Sequence, residues 1–373
     1  MAKTGIFGGA FDPLHNSHIE MALKALETGL DKVVFVPSGI PPHKSCNVSF
    51  EDRIEMLKRV ISDYPRFEIC TLEYDLGGVN YAKDVLPRLK EIYGDIVYII
   101  GGDSLIDLDK WKEPEKVIAV APLLVFPRAD REEEFSRALV FWREKGADIT
   151  VAEYMPAAVS STCIRYLINM DKTDGIPEKA AEYINGHGLY KKFADKAQKL
   201  KKEVLPATYD HIARTCECAL RLNFECRLGL DNDKVFLSAM LHDCAKLRSR
   251  QPHDTSEVPE DCVGSEVEHQ FLGAVIAKKE YGIDDSEILS AIRSHCTGKP
   301  DMTTLEKLVF CADMLEDARS YNGVEELRKL IRENFEDGFR ACLKRSYDYL
   351  LEKNCYIYPL TQEAVDYYNK ISE

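Results

Sequence analysis

Residues 4–18 read Thr-Gly-Ile-Phe-Gly-Gly-Ala-Phe-Asp-Pro-Leu-His-Asn-Ser-His. A short apolar run at 4–7 leads into Gly8-Gly9, and His15 and His18 then open a helical pattern. This order predicts a buried strand, a glycine turn and a helix start. Glycines at such a joint let backbone amides approach a phosphate closely, and the helix N-terminus adds partial positive charge. Two histidines three residues apart there are placed to donate hydrogen bonds to one phosphoryl group. Transfer at phosphorus calls for charge stabilisation more than for covalent chemistry, which suits paired donors.

Five runs of similar texture follow, at 33–36, 67–72, 96–100, 123–126 and 149–152. Short runs rich in Val and Ile predict buried parallel strands. Their alternation with helical stretches predicts a doubly wound α/β sheet. After Tyr190 the texture changes. Residues 191–204, KKFADKAQKLKKEV, are charged and helical, and helical periodicity dominates from Tyr209 to the end. The expected architecture is therefore α/β plus all-α: a doubly wound parallel-sheet domain over 1–192 and a helical domain over 193–373. No internal repeat or low-complexity tract interrupts them.

The length of 373 residues itself favours two domains. Apolar residues at 45% and charged residues at 30% fit globular domains with real cores. A net charge of -14 argues against a bulk electrostatic grip on nucleic acid or on an anionic membrane, so phosphate must be held in local pockets. The opening apolar stretch is broken by glycines and too short for a signal peptide, and no later stretch is suited to span a bilayer. The 12 cysteines include no Cys-x-x-Cys pair, and only Cys216 and Cys218 lie close together. That pattern reads as reduced thiols and a cytoplasmic location.

The second half carries His211, His242-Asp243, His269, His295 and Asp313, each expected on a helix. Val235 and Ala239 share a helical face with His242, and Phe236 and Met240 share one with Asp243. Ile288 and Ile292 lead into His295, while Leu305 and Val309 lead into Asp313. A carboxylate turned into an apolar interface costs several kcal/mol unless it is paired or metal-bound. Imidazoles and carboxylates converging from several helices are what a divalent metal requires.

The first 190 residues resemble the HxGH nucleotidyltransferases and, within them, the bacterial nicotinate-mononucleotide adenylyltransferases. Beyond the opening string, the resemblance rests on Pro41-Pro42-His43-Lys44, Gly101-Gly102-Asp103-Ser104, Trp111, Pro127-Arg128 and Ser160-Ser161-Thr162-Cys163-Ile164-Arg165. Tyr183-Ile184 and His187-Gly188-Leu189-Tyr190 complete it. It implies ATP and nicotinate mononucleotide as substrates, with magnesium assisting. It makes His15 and His18 the groups that stabilise the transition state at the ATP α-phosphate. Ser160, Ser161, Thr162 and Arg165 then bind phosphates, Lys44 touches the triphosphate, Asp103 contacts the ribose and Trp111 stacks on the pyridine. Gly8, Gly9, Phe11 and Arg128 fall in the same nucleotide site. Two positions depart from the family: Ser17 stands where glycine is usual, and Ala82 replaces a threonine whose hydroxyl helps to hold the nicotinate carboxylate.

The second half resembles the HD phosphohydrolases. The strings His242-Asp243-Cys244-Ala245-Lys246, His295-Cys296-Thr297-Gly298-Lys299-Pro300 and LEKLVFCADMLEDAR (305–319) are similar to those of symmetrical diadenosine tetraphosphate hydrolases. This resemblance makes His211, His242, Asp243 and Asp313 metal ligands. His269 and His295 complete a second metal position or bind phosphate. Iron is the implied metal, with other divalent transition metals compatible. Lys246 and Arg319 are expected to neutralise the polyphosphate, Lys246 as a catalytic group. Two rival readings keep these folds. One pairs another HxGH nucleotidyltransferase with an HD nucleotidase or phosphodiesterase; the other makes the HD half a non-catalytic nucleotide sensor, against which the retained His-Asp pair argues.

Overall fold

A computed structural model describes residues 3–41, 46–127, 131–156 and 160–370. Its contacts divide the chain into two compact units. The first comprises Met1–Arg165 with Thr173–Lys191, and the second comprises Tyr166–Lys172 with Lys192–Glu373. The segment Tyr166–Lys172 thus packs with the helical unit, ahead of the change in sequence texture.

The first unit is built on six parallel strands: β1 (Lys3–Gly9), β2 (Lys32–Pro37), β3 (Phe67–Ile69), β4 (Asp95–Gly101), β5 (Leu123–Phe126) and β6 (Ile149–Val151). Their order is β3-β2-β1-β4-β5-β6. The strands are apolar on both faces because helices cover both. Val33, Val34, Phe35, Ile99, Leu124 and Val125 are fully or almost fully buried. The third run stops short of the sequence expectation, since Leu72 begins the helix Leu72–Asp75. Chain order reverses between β1 and β4, so their carboxyl ends flank the crevice where open α/β sheets bind ligands.

In the second unit every element among the described residues is helical. The helices Pro206–Glu225, Asn232–Leu241, Glu268–Tyr281, Ser286–Ser294 and Thr304–Leu315 surround the buried histidines. Their starts are marked by sequence. Asp231 accepts from the amides of Asp233 and Lys234, and Asp285 from those of Glu287 and Ile288. Thr303 and Glu306 form a reciprocal cap on the helix that carries Asp313. No helix among the described residues is long and apolar enough to cross a membrane.

Candidate active sites

In the first unit, β1 ends at Gly9 and the helix Asn16–Glu27 begins directly after His15, its N-cap. A Cβ at Gly9 would lie 3.1 Å from the Phe11 ring, so glycine permits this close packing. The backbone N–H of His15 donates to Nδ1 of His18 at 3.2 Å. That bond needs a bare Nδ1, which places the neutral ring's proton on Nε2, where it is a donor. The two imidazoles stack with centroids 3.6 Å apart. Phe11 meets the His18 ring edge-on at 5.1 Å and Phe7 does so at 5.9 Å, which restricts its rotamer. Phe11 is itself buried in this aromatic cluster, so its ring supports His18 from the core side.

The phosphate-type motif joins this loop. Ser160 Oγ accepts from the amide of Thr162, while Arg165 donates to the Asp12 carbonyl at 2.6 Å and to Thr162 Oγ1 at 3.0 Å. Asp12 is a hub: Oδ1 accepts from the Tyr190 hydroxyl at 2.7 Å, and Oδ2 from the Asn47 amide at 2.8 Å. The opening loop, the loop after β2, the Ser160–Arg165 string and Tyr190 are thereby fixed to one another. Ser161 lies in the first turn of its helix, half-buried beside Thr162. Asp103 sits at the carboxyl end of β4, with Arg131 at 3.5 Å. Trp111 is half-buried and edge-on to Tyr98 at 6.3 Å. Ala82 opens the helix Ala82–Tyr93, so its amide is among those that intrahelical bonding leaves unpaired. Ser17 is buried in the first helical turn. Lys44 and Arg128 lie outside the described residues.

In the second unit all six proposed ligands converge. Only His211, His269 and Asp313 lie within helices. His242 and His295 are instead C-caps of Asn232–Leu241 and Ser286–Ser294, and Asp243 follows in a turn. Helix ends leave carbonyls unpaired, and His242 and His295 use such groups. Nδ1 of His242 donates to Ala239 O at 2.7 Å, Nδ1 of His295 to Ile292 O at 2.8 Å, and Nδ1 of His269 to Glu266 O at 2.8 Å. Each bond turns a bare Nε2 toward the centre, as a metal ligand requires.

At the centre, His211 Nε2 lies 2.9 Å from Asp313 Oδ1 and 3.8 Å from Asp243 Oδ2. His242 Nε2 lies 3.5 Å from Asp243 Oδ2. His242 Nε2 and Asp243 Oδ1 are buried and make no hydrogen bond. Buried polar atoms without partners are costly and rare, so each marks a place that a cation would satisfy. Burial pushes the His242 imidazole down to about 4, keeping it neutral and able to ligate. Burial, the largest influence, pushes the Asp243 carboxyl up, but the facing histidines and Lys246 hold it well below the usual carboxylate range. His211, His242 and Asp243 form one group of ligand atoms with metal-site spacing, and His242, His295 and Asp313 form another. The residues fit a divalent ion.

Comparisons with known proteins agree with this division. A model described as cytidylyltransferase-like matches residues 6–167, and the HD domain model matches residues 208–318. A "Probable nicotinate-nucleotide adenylyltransferase" of Clostridium tetani is 36% identical over 204 residues, covering 51% of this chain and 100% of the relative. One of Caldicellulosiruptor bescii is 36% identical over 195 residues, with the same coverage. Through its first half, the chain belongs to the nicotinate-nucleotide adenylyltransferase family. Its second half contains an HD domain. A solved structure from Clostridium acetobutylicum, described as a "predicted HD superfamily hydrolase involved in NAD metabolism", is 26% identical. It aligns over 48% of this chain and 97% of its own, with a TM-score of 0.42.

Two residues escaped the sequence reading. In the adenylyltransferase half, Arg53 is 1% exposed and donates to Ala10 O at 2.6 Å and Gly39 O at 3.1 Å, bracing the loops after β1 and β2. In the HD half, buried Glu316 faces Nδ1 of His211 at 3.2 Å, and is held by Arg214 at 2.7 Å and the Ala318 amide at 2.8 Å. A carboxylate behind a metal-binding histidine orients the ring and raises its basicity. The signal was the carboxylate one helical turn after Asp313. Glu316→Gln is expected to weaken metal retention about 10- to 100-fold, measured by competition with a chelator. Lys246 lies 2.7 Å from Asp243 Oδ2, and Arg319 bonds both the carbonyl and the carboxylate of Asp313. Both cations stand at the rim, with side chains 40% and 39% exposed.

Proposed function

We propose that the chain is a bifunctional enzyme with an adenylyltransferase over residues 1–192 and an HD phosphohydrolase over residues 193–373. The first half joins ATP to nicotinate mononucleotide. A phosphate oxygen of the mononucleotide attacks the α-phosphorus, the bond to the β-phosphate breaks, and deamido-NAD and pyrophosphate leave. Relatives named for this activity support the reading, as does the site at the carboxyl ends of β1 and β4. The observation that carries it is His18, whose Nδ1 is occupied by the His15 amide and whose Nε2–H is therefore a fixed donor. Donors placed in advance stabilise charge that develops only in the transition state. His15 works beside it, Arg165 and the Ser160–Thr162 hydroxyls hold phosphate, Asp103 holds ribose and Trp111 stacks on the pyridine. Asp12, the carboxylate of the opening string, has both oxygens occupied. Magnesium bound with the triphosphate would neutralise part of its charge.

In the second half, His211, His242, Asp243 and Asp313 hold a divalent transition metal, with iron favoured, and His269 and His295 serve a second position. A metal held there supplies Lewis acidity and an acidified water. Lys246 and Arg319, at the rim, neutralise the polyphosphate. Water then divides diadenosine tetraphosphate at its centre into two ADP. The test is product analysis with the full chain. Deamido-NAD and pyrophosphate are expected from ATP and nicotinate mononucleotide, and only ADP from diadenosine tetraphosphate. ATP plus AMP from the latter, or no turnover by metal-loaded protein, would overturn the hydrolase assignment.

Pyridine selectivity carries its own test. Ala82 offers only its amide where a hydroxyl would reach the nicotinate carboxylate. One hydrogen bond to a charged group is worth about 1.5–3 kcal/mol, so Ala82→Thr should raise the preference for nicotinate over nicotinamide mononucleotide roughly tenfold or more. The ratio of the two kcat/KM values measures it. An unchanged ratio would mean that backbone amides set the preference.

A further inference from the structure

We infer that Cys296 supplies a thiolate to the second metal position of the HD site, making it a soft-metal position distinct from its oxygen- and nitrogen-lined neighbour. The inference rests on the metal-centre reading above. His269 and His295 bring their Nε2 atoms within 3.3 Å of each other while both Nδ1 atoms donate to carbonyls. Two neutral rings so arranged meet lone pair to lone pair, and a cation between them resolves the conflict. Asp243 Oδ1, buried and without a hydrogen bond, lies 3.3 Å from His269 Nε2 and 3.6 Å from His295 Nε2. Cys296 Sγ stands 3.7 Å from His269 Nε2. These three residues, His269, His295 and Cys296, form a compact ligand group, in which His295 is shared with the group of His242 and Asp313.

The spacings match a single ion. With metal–nitrogen bonds of about 2.0–2.1 Å and a metal–sulfur bond of about 2.3 Å, a tetrahedron has N···N edges of about 3.3 Å and N···S edges of about 3.6 Å. The cysteine is also held in place. Buried Gln270 accepts through Oε1 from the amides of Cys296 at 3.1 Å and Thr297 at 3.2 Å, and its Nε2 donates to Thr297 Oγ1 at 3.0 Å. On binding, the S–H bond breaks, a sulfur–metal bond forms and the proton passes to solvent. Thiolate favours zinc or ferrous iron over magnesium or manganese. Asp243 would serve both positions, since its Oδ1 faces His269 and its Oδ2 faces His211 and His242.

The full chain, stripped of metal and titrated with cobalt(II), tests this. A near-ultraviolet thiolate-to-cobalt charge-transfer band is expected in the unaltered protein and absent from Cys296→Ser and Cys296→Thr, while visible cobalt absorption from the other position persists. Cadmium should also slow alkylation of Cys296 by iodoacetamide about tenfold or more in the unaltered chain, as a coordinated thiolate is no longer a free nucleophile. Cobalt binding without the band, or alkylation indifferent to cadmium, overturns the thiolate and leaves the metal centre standing. An unaltered chain that binds no cobalt overturns the metal centre itself.

Discussion

His18→Ala is expected to lower dinucleotide synthesis about 100- to 1,000-fold, the usual effect of deleting one transition-state donor. The fall should appear in kcat, with KM for ATP little changed, because the donor acts on charge that builds up at the α-phosphate during transfer. Geometry makes the effect specific. The His15 amide fixes which nitrogen of His18 carries its proton, and Phe7 and Phe11 restrict the ring. A water molecule filling the vacated space would have neither constraint. Polyphosphate hydrolysis in the same preparation should be unchanged, which shows that the variant is folded. Near-normal synthesis would remove His18 from the mechanism.

The second large effect is expected from Asp243→Ala, which should remove bound metal and polyphosphate hydrolysis together. Asp243 is 1% exposed and stands within 4 Å of His211, His242, His269 and His295. Without it, the imidazoles and Asp313 would have to hold a divalent ion with less negative charge and one carboxylate fewer. Elemental analysis beside both activities is the measurement. Hydrolysis that survives metal loss would overturn the HD mechanism. Loss of adenylyl transfer in a folded variant would show that the two activities are not independent.

The six strands were legible because each is a short Val- and Ile-rich run bounded by helical sequence, and burial on both faces leaves little room for polar residues. Overshoot occurred at Leu72, where an apolar residue suits a strand end and a helix start equally. The residues proposed as ligands of the HD site were legible as polar interruptions of apolar stripes. Their exact setting was not: the stripes run without a break into His242 and His295, so the helix ends there carry no glycine or proline signal. Arg53 was hidden for a different reason. Its partners are the backbone carbonyls of Ala10 and Gly39, and no side-chain pattern records a carbonyl that needs a donor. Glu316 sat within a quoted string yet nothing singled it out, because its role depends on His211, about a hundred residues earlier.

The segment Tyr166–Lys172 has a bearing on how such a chain can be taken apart. Within the helical unit, the Tyr166 hydroxyl donates to Asp233, and Asn169 Oδ1 accepts from the Phe193 amide at 2.7 Å. The polypeptide changes unit after Arg165, again after Lys172 and again after Lys191. Two genes joined end to end would leave one such passage. Here a tenant of the second unit is lodged inside the coding stretch of the first, so no single cut returns two whole pieces. Scission after Lys191 would strand that segment on the wrong fragment, taking Asn169 from the amide of Phe193 and the Tyr166 hydroxyl from Asp233, which keeps Lys192. A truncation meant to isolate the helical unit must therefore bring Tyr166–Lys172 with it.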